Sequence, residues 1–491
     1  MKQLFTTKYF FTIIILIAIE ILGIQSVFAE IKLPAIVSSN MVLQRNTTIE
    51  IWGWAAADEK IKIKFSWLEK PEEIITDKQE NWKIEVKTTN SKAAQTITLK
   101  SETSNIVLEN ILFGEVWLCS GQSNMQQPIK GYNGQPTFGA LQAIVNSKNP
   151  NLRLFTVGRK ASKTPLNKLI KHISWQEAAP NTVSDFSAVA YFFGQQLQKT
   201  LDVPVGLIHT SWGGSKVEAW MSKESLSTYR KVDLTTIDIT KKPNQKPTLL
   251  FNSMINPLIP YTIKGALWYQ GESNRNAPEM YKKLFPAMVK DWRARWNIGD
   301  FPFYYVQISP FLYGNNNAVK KGDNSAFIRD VQMQCLDLIP NAGIAITLDI
   351  GDQFFIHPPK KKEVADRLLY NALNKTYGYK AIDAEAPVYD SFVIEGQNIK
   401  LNFKNVKTGL FTYNTLNDFE IAGADKVFYP ATAKIIKRKN IIVSSDKVPN
   451  PVAVRYAWKN WVQGSLFDTS LLPVSSFRTD TWNNATQNNN K

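Results

Sequence analysis

The chain has 491 residues, 44% hydrophobic and 20% charged, with a formal net charge of +16. A chain of that length and apolar content can bury a large core in two or three domains, as an ordinary globular protein does. The excess Lys and Arg are scattered and accompany no helix-turn-helix, zinc-finger or RNA-binding signature. A nucleic-acid partner is therefore not expected, and the charge is read as solubility plus attraction to acidic glycans or surfaces.

In chain order, residues 1–29 read as a signal peptide. Lys2 and Lys8 flank the start, Phe10 to Ile24 is almost wholly apolar, and Val27-Phe28-Ala29 supplies the cleavage pattern before Glu30. No cysteine stands there for a lipid anchor, and no later run is long and apolar enough for a second membrane span. The expectation is an exported chain, periplasmic or extracellular.

Residues 30–107 alternate with period two at 48–52, 60–65, 82–86 and 96–99, which predicts a small antiparallel, sandwich-like β domain. From 108 to 383 apolar strands at 115–119, 205–209, 263–269, 303–308 and 344–348 are separated by helical stretches. Those at 185–200 and 278–296 are the clearest, the second with Met280, Leu284, Met288 and Trp292 on one face. The fold class is α/β, a doubly wound parallel sheet flanked by N-terminal and C-terminal β-rich regions. Residues 384–480 return to short strands, forming either their own module or a pairing with the N-terminal strands. The tail at 481–491 reads as disordered. Cys119 and Cys335 are read as buried free thiols, with a disulfide as the alternative.

Ligands of open parallel sheets sit beyond the carboxyl ends of the strands. Gly121-Gln122-Ser123-Asn124 follows the first strand, Ser211-Trp212-Gly213-Gly214 the second, and Gln270-Gly271-Glu272-Ser273-Asn274 the third. Asp349, Asp352 and His357 follow the fifth. Four polar loops at one edge make a site. Ser123 is the candidate nucleophile, with a helix-capping serine as the bland reading. A serine hydroxyl attacks only when a base takes its proton, and His357, ahead of a helix, is the candidate base. The positive end of that helix favours the neutral imidazole a base needs. The backbone N–H groups of Ser123 and of Gly213 or Gly214, with a side-chain amide from Gln270 or Asn274, are candidates for the oxyanion hole. Asp352 or Asp349 would orient the imidazole, and a Ser–His dyad aided by a backbone carbonyl stays open. Asn124, Trp212 and Glu272 are support or substrate-contact residues, with Arg275 as a partner for a buried Glu272. Lys360-Lys361-Lys362 reads as a solvated face, with attraction of carboxylated sugars at the rim of the site as the alternative.

The run from Gly114 to Met125, GEVWLCSGQSNM, resembles the nucleophile block of the sialate O-acetylesterases, which are SGNH-type carbohydrate esterases. Ser211-Trp212-Gly213-Gly214, Trp268-Tyr269-Gln270-Gly271-Glu272-Ser273-Asn274 and Ile356-His357-Pro358 resemble the later blocks, in order. Motifs at 40–45, 52–54, 421–425 and 477–480 extend the likeness over about residues 30–483. The resemblance implies hydrolysis of acetyl esters on sugars, with no metal and no cofactor, and an O-acetylated glycan as substrate. It assigns Ser123 as nucleophile, His357 as base, and Ser123, Gly213 or Gly214, and Gln270 or Asn274 to the oxyanion hole. Many bacterial relatives carry an aspartate two residues before the histidine, where this chain has Phe355, and Asp352 takes the acidic role here. A xylan or pectin acetylesterase and a weakly catalytic glycan-binding protein are the rival readings.

Overall fold

The computed structural model describes residues 30–316 and 324–482. The leader expected over 1–29 and most of the tail expected over 481–491 lie outside them. The described chain divides into two compact units.

The smaller unit takes in 30–33, 52–84 and 96–108. Its strand Lys60–Phe65 pairs antiparallel with Glu72–Ile75 on one side and Gln95–Lys100 on the other. Ile61, Ile63 and Phe65 are buried and the lysines between them are exposed. This is the period-two pattern of a strand with one wet face.

The larger unit is built on a central sheet. The strands of that sheet are β1 (Asn105–Gly121, in this unit from Glu109 onward), β2 (Asn149–Val157), β3 (His172–Ala178), β4 (Val205–Ser211), β5 (Gly265–Tyr269), β6 (Phe303–Val306) and β7 (Ala342–Ala345). They lie in the order β7-β6-β5-β1-β4-β2-β3, parallel except for β3. The helices are α1 (Ala188–Leu201), α2 (Pro278–Trp296), α3 (Ala326–Gln334) and α4 (Lys361–Asn371). Trp117, Cys119, Leu207 and Leu267 pack with Val189 and Phe193 of α1 and with Val364 and Leu368 of α4. On the opposite face Trp268 meets Phe285 and Trp292 of α2. Leu267 and Trp268, successive residues of β5, thus face different helices, as a doubly wound sheet requires.

The five expected strands are all in this sheet, the last at Ala342–Ala345 rather than 344–348. Two strands had no signal. β2 opens on Asn149-Pro150-Asn151 and buries Arg153, while β3 exposes most of its residues, so neither shows clean alternation. The helix Pro278–Trp296 stands as expected, but Met280 is exposed and the buried stripe runs through Tyr281, Leu284, Phe285, Met288 and Trp292.

Among the described residues the C-terminal strands pair among themselves, in two four-stranded sheets and one two-stranded sheet. Cys119 and Cys335 are buried free thiols. No helix among the described residues is long and apolar enough to cross a membrane.

Candidate active site

The register of the sheet brings the candidate loops together. Gly121 at the end of β1 lies opposite Ser211 at the end of β4 and Tyr269 at the end of β5. The three chains therefore leave the sheet side by side. Gly121 has φ +139°, and a Cβ there would lie 2.2 Å from the Tyr269 carbonyl oxygen, so only glycine fits the turn.

Ser123 is the first residue of the one-turn helix Ser123–Gln126, and Gln122 holds the cap position. The bland capping role is thus not the one it fills. Among the described residues its Oγ has no hydrogen-bond partner and it is half-buried, free to meet a ligand. Gly213 stands beside it: a Cβ on Gly213 would lie 3.2 Å from Ser123 Cβ.

His357 comes to the same place from the loop after β7. Asn124 Nδ2 donates to the Ile356 carbonyl at 3.1 Å. Tyr132 sets its ring edge against the His357 imidazole, 5.1 Å between centroids, and donates its hydroxyl to the Ser123 carbonyl at 3.1 Å. Burial first, and the nearby Lys361 second, lower the His357 pKa to about 4. The ring is therefore neutral at neutral pH, as a proton acceptor must be.

The partner of the imidazole differs from expectation. Nδ1 of His357 lies 2.7 Å from Gln135 Oε1. With that oxygen toward the ring, Nδ1 carries the proton and Nε2 keeps its lone pair. Asp352 instead turns back on its own loop, accepting from the Phe354 and Phe355 N–H groups at 2.8 and 3.0 Å. Among the described residues no hydrogen bond or ion pair joins Asp352 to His357. Asp349 is held by both terminal nitrogens of Arg367 at 2.7 Å. Phe355, where an acid was expected from the resemblance, is exposed. Gln135 sits 222 residues from the histidine in a turn with no motif, and nothing local in the sequence could have found it.

The expected oxyanion donors divide. Gly213 N–H is spent on Gln126 Oε1 at 2.8 Å. Gln270 Nε2 donates to Ser215 O and to Asn274 Oδ1, at 3.0 and 2.8 Å, and Asn274 Nδ2 donates to Glu218 Oε2 at 2.9 Å. These two amides staple the loop after β5 to the loop after β4 and are not aimed at a substrate. The N–H groups of Ser123 and Gly214 donate to no other group among the described residues. Trp212 is half-buried.

Beneath the serine lies a buried polar lock. Asn124 Nδ2 donates to Glu272 Oε1 at 2.6 Å, and Asn124 Oδ1 accepts from Lys361 Nζ at 2.5 Å. Burial raises the Glu272 pKa and lowers that of Lys361 to about 7, each opposed by the other's charge. Lys361 is wholly buried, contrary to the solvated face expected, whereas Lys362 is exposed and paired with Asp366. Arg275 does not reach Glu272; its guanidinium lies over the Tyr313 ring, 4.7 Å from the centroid.

The model of a family described as carbohydrate esterase, sialic acid-specific acetylesterase, matches residues 113–357. The chain is similar to the sialate O-acetylesterases of Homo sapiens and Pongo abelii, each 31% identical over 396 residues, 74% of this chain and 73% of theirs. A carbohydrate acetylesterase from Xanthomonas citri, of known structure, is similar at 33% identity with a TM-score of 0.84, over 92% of this chain and 100% of that one.

Proposed function

Because the chain belongs to the sialic acid-specific acetylesterase family of carbohydrate esterases, and so is a carboxylic ester hydrolase that removes O-acetyl groups from sugars, we propose that its substrate is an O-acetylated sialic acid. In the proposed mechanism Ser123 Oγ attacks the acetyl carbonyl carbon while His357 Nε2 takes its proton. The N–H groups of Ser123 and Gly214 meet the oxyanion. The imidazolium then returns the proton to the sugar oxygen as the ester C–O bond breaks, leaving acetyl on Ser123. Water, deprotonated by the same ring, releases acetate. The Gln135 oxygen holds the tautomer and balances part of the charge on the imidazolium.

The observation that carries this reading is the convergence of Ser123 and a neutral His357 through Tyr132 and Asn124. The lysines and apolar run that open the sequence support export of the chain.

The test is acetate release from O-acetylated sialic acid and from acetylated xylan, with Ser123→Ala alongside. Release from the sialic acid, lost in the variant, is expected. Release from xylan alone would move the substrate to plant polysaccharide, and equal release by the variant would remove Ser123 from the chemistry.

A further inference from the structure

At the sheet edge beside the candidate nucleophile a cleft of about 320 Å³ opens between the ends of β2 and β4 and the loop after β1. That is the small end of the usual range for ligand sites and suits a single sugar residue. Gln126 and Tyr132, which line it, are the residues that hold Gly213 N–H and the Ser123 carbonyl. A ligand in the cleft therefore lies against the serine's own loop.

The cleft has one sign of free charge. Arg159, just past β2, is its only lining residue with a permanent positive charge; it is exposed and makes no hydrogen bond or ion pair among the described residues. The lining carboxylate, Asp185, is taken by Lys130. His209 adds a buried ring whose Nε2 lies 2.6 Å from Ser211 Oγ and whose Nδ1 has no partner. Burial and the charge of Arg159 lower its pKa to about 4, so it adds no second cation. A guanidinium with nothing to bind, at the mouth of a sugar-sized cleft, matches a carboxylate in shape and charge.

We propose that Arg159 sets the specificity of the site by receiving the carboxylate of the sugar while the acetyl ester reaches Ser123. This rests on the reading of the substrate as an O-acetylated sialic acid, whose carboxylate separates it from neutral acetylated sugars.

The experiment compares 9-O-acetyl-N-acetylneuraminic acid with its C1 carboxamide, alike except for the charge, and uses an aryl acetate to register esterase activity. In wild type the acid should show the lower KM. Arg159→Gln should reduce the acid-to-carboxamide ratio of kcat/KM by roughly tenfold to a hundredfold, the scale of a charge-assisted hydrogen bond, through KM, and Arg159→Lys should keep part of the preference. Equal KM for the two sugars in wild type, or an unchanged ratio in Arg159→Gln, would overturn the assignment of Arg159 while leaving sialate hydrolysis standing. Turnover of the aryl acetate with none of either sugar would overturn the sialate reading, and this inference with it.

Discussion

The imidazole of His357 is held neutral before any substrate arrives, because burial and the Lys361 charge both disfavour its protonated form. Only the neutral ring can take the serine proton, so activity is lost as pH falls through the pKa of this group. The kcat/KM profile on an aryl acetate, which reports the free enzyme, should keep its plateau well below pH 6.5 and fall near pH 4. Among the described residues the charged group acting on the ring is Lys361 on α4, with the Tyr132 phenol at its edge. Gln135→Ala should lower the plateau by roughly tenfold to a hundredfold, as loss of an orienting hydrogen bond does. Gln135→Glu should retain activity with its acid limb moved upward, since a carboxylate favours the imidazolium. An undiminished plateau in Gln135→Ala would leave the ring oriented by something else.

At the level of elements, the start of α4 does what a run of three lysines does not announce. The helix begins at Lys361, with Lys360 as its cap after Pro358-Pro359, and its first residue turns inward to Asn124 while Lys360 and Lys362 do not share that burial. The lock of Lys361, Asn124 and Glu272 thereby ties α4 to the loops after β1 and β5. A buried charge left without its counterpart is costly, so Lys361→Met should destabilise the fold by about 3 kcal/mol. Adding Glu272→Gln should recover part of that loss, because the carboxylate that needed the ammonium is gone. Urea unfolding of the two single variants and the double gives the coupling. Strict additivity of the three would mean that the two charges do not sense one another.

Across the whole molecule, the site follows from strand register. Gly121, Ser211 and Tyr269 end level with one another, so three loops scattered over 150 residues of sequence open at one edge. That much was legible: apolar strands, a glycine and then polar residues mark a sheet edge, and the parallel α/β architecture follows from the alternation of strands and helices. Two strands were not, because buried Arg153 and the exposed face of β3 break the pattern. The fine structure of the site was legible only in part. Ser123 and His357 stand out as residue types, but which atom meets which is decided by side-chain reach in three dimensions. Asp352 is five residues from His357 and turns away, whereas Gln135 is 222 residues away and touches it. The amides of Gln270 and Asn274 looked like oxyanion donors by position, yet their hydrogen bonds bind loop to loop.

The central claim, covalent catalysis by Ser123, is tested most directly by mass spectrometry of enzyme acid-quenched during turnover of an acetyl ester. An acetyl group on the peptide that carries Ser123, absent from Ser123→Ala and accumulating in His357→Ala only slowly, is the result predicted. An unmodified Ser123 peptide, together with turnover undiminished in Ser123→Ala, would contradict the account.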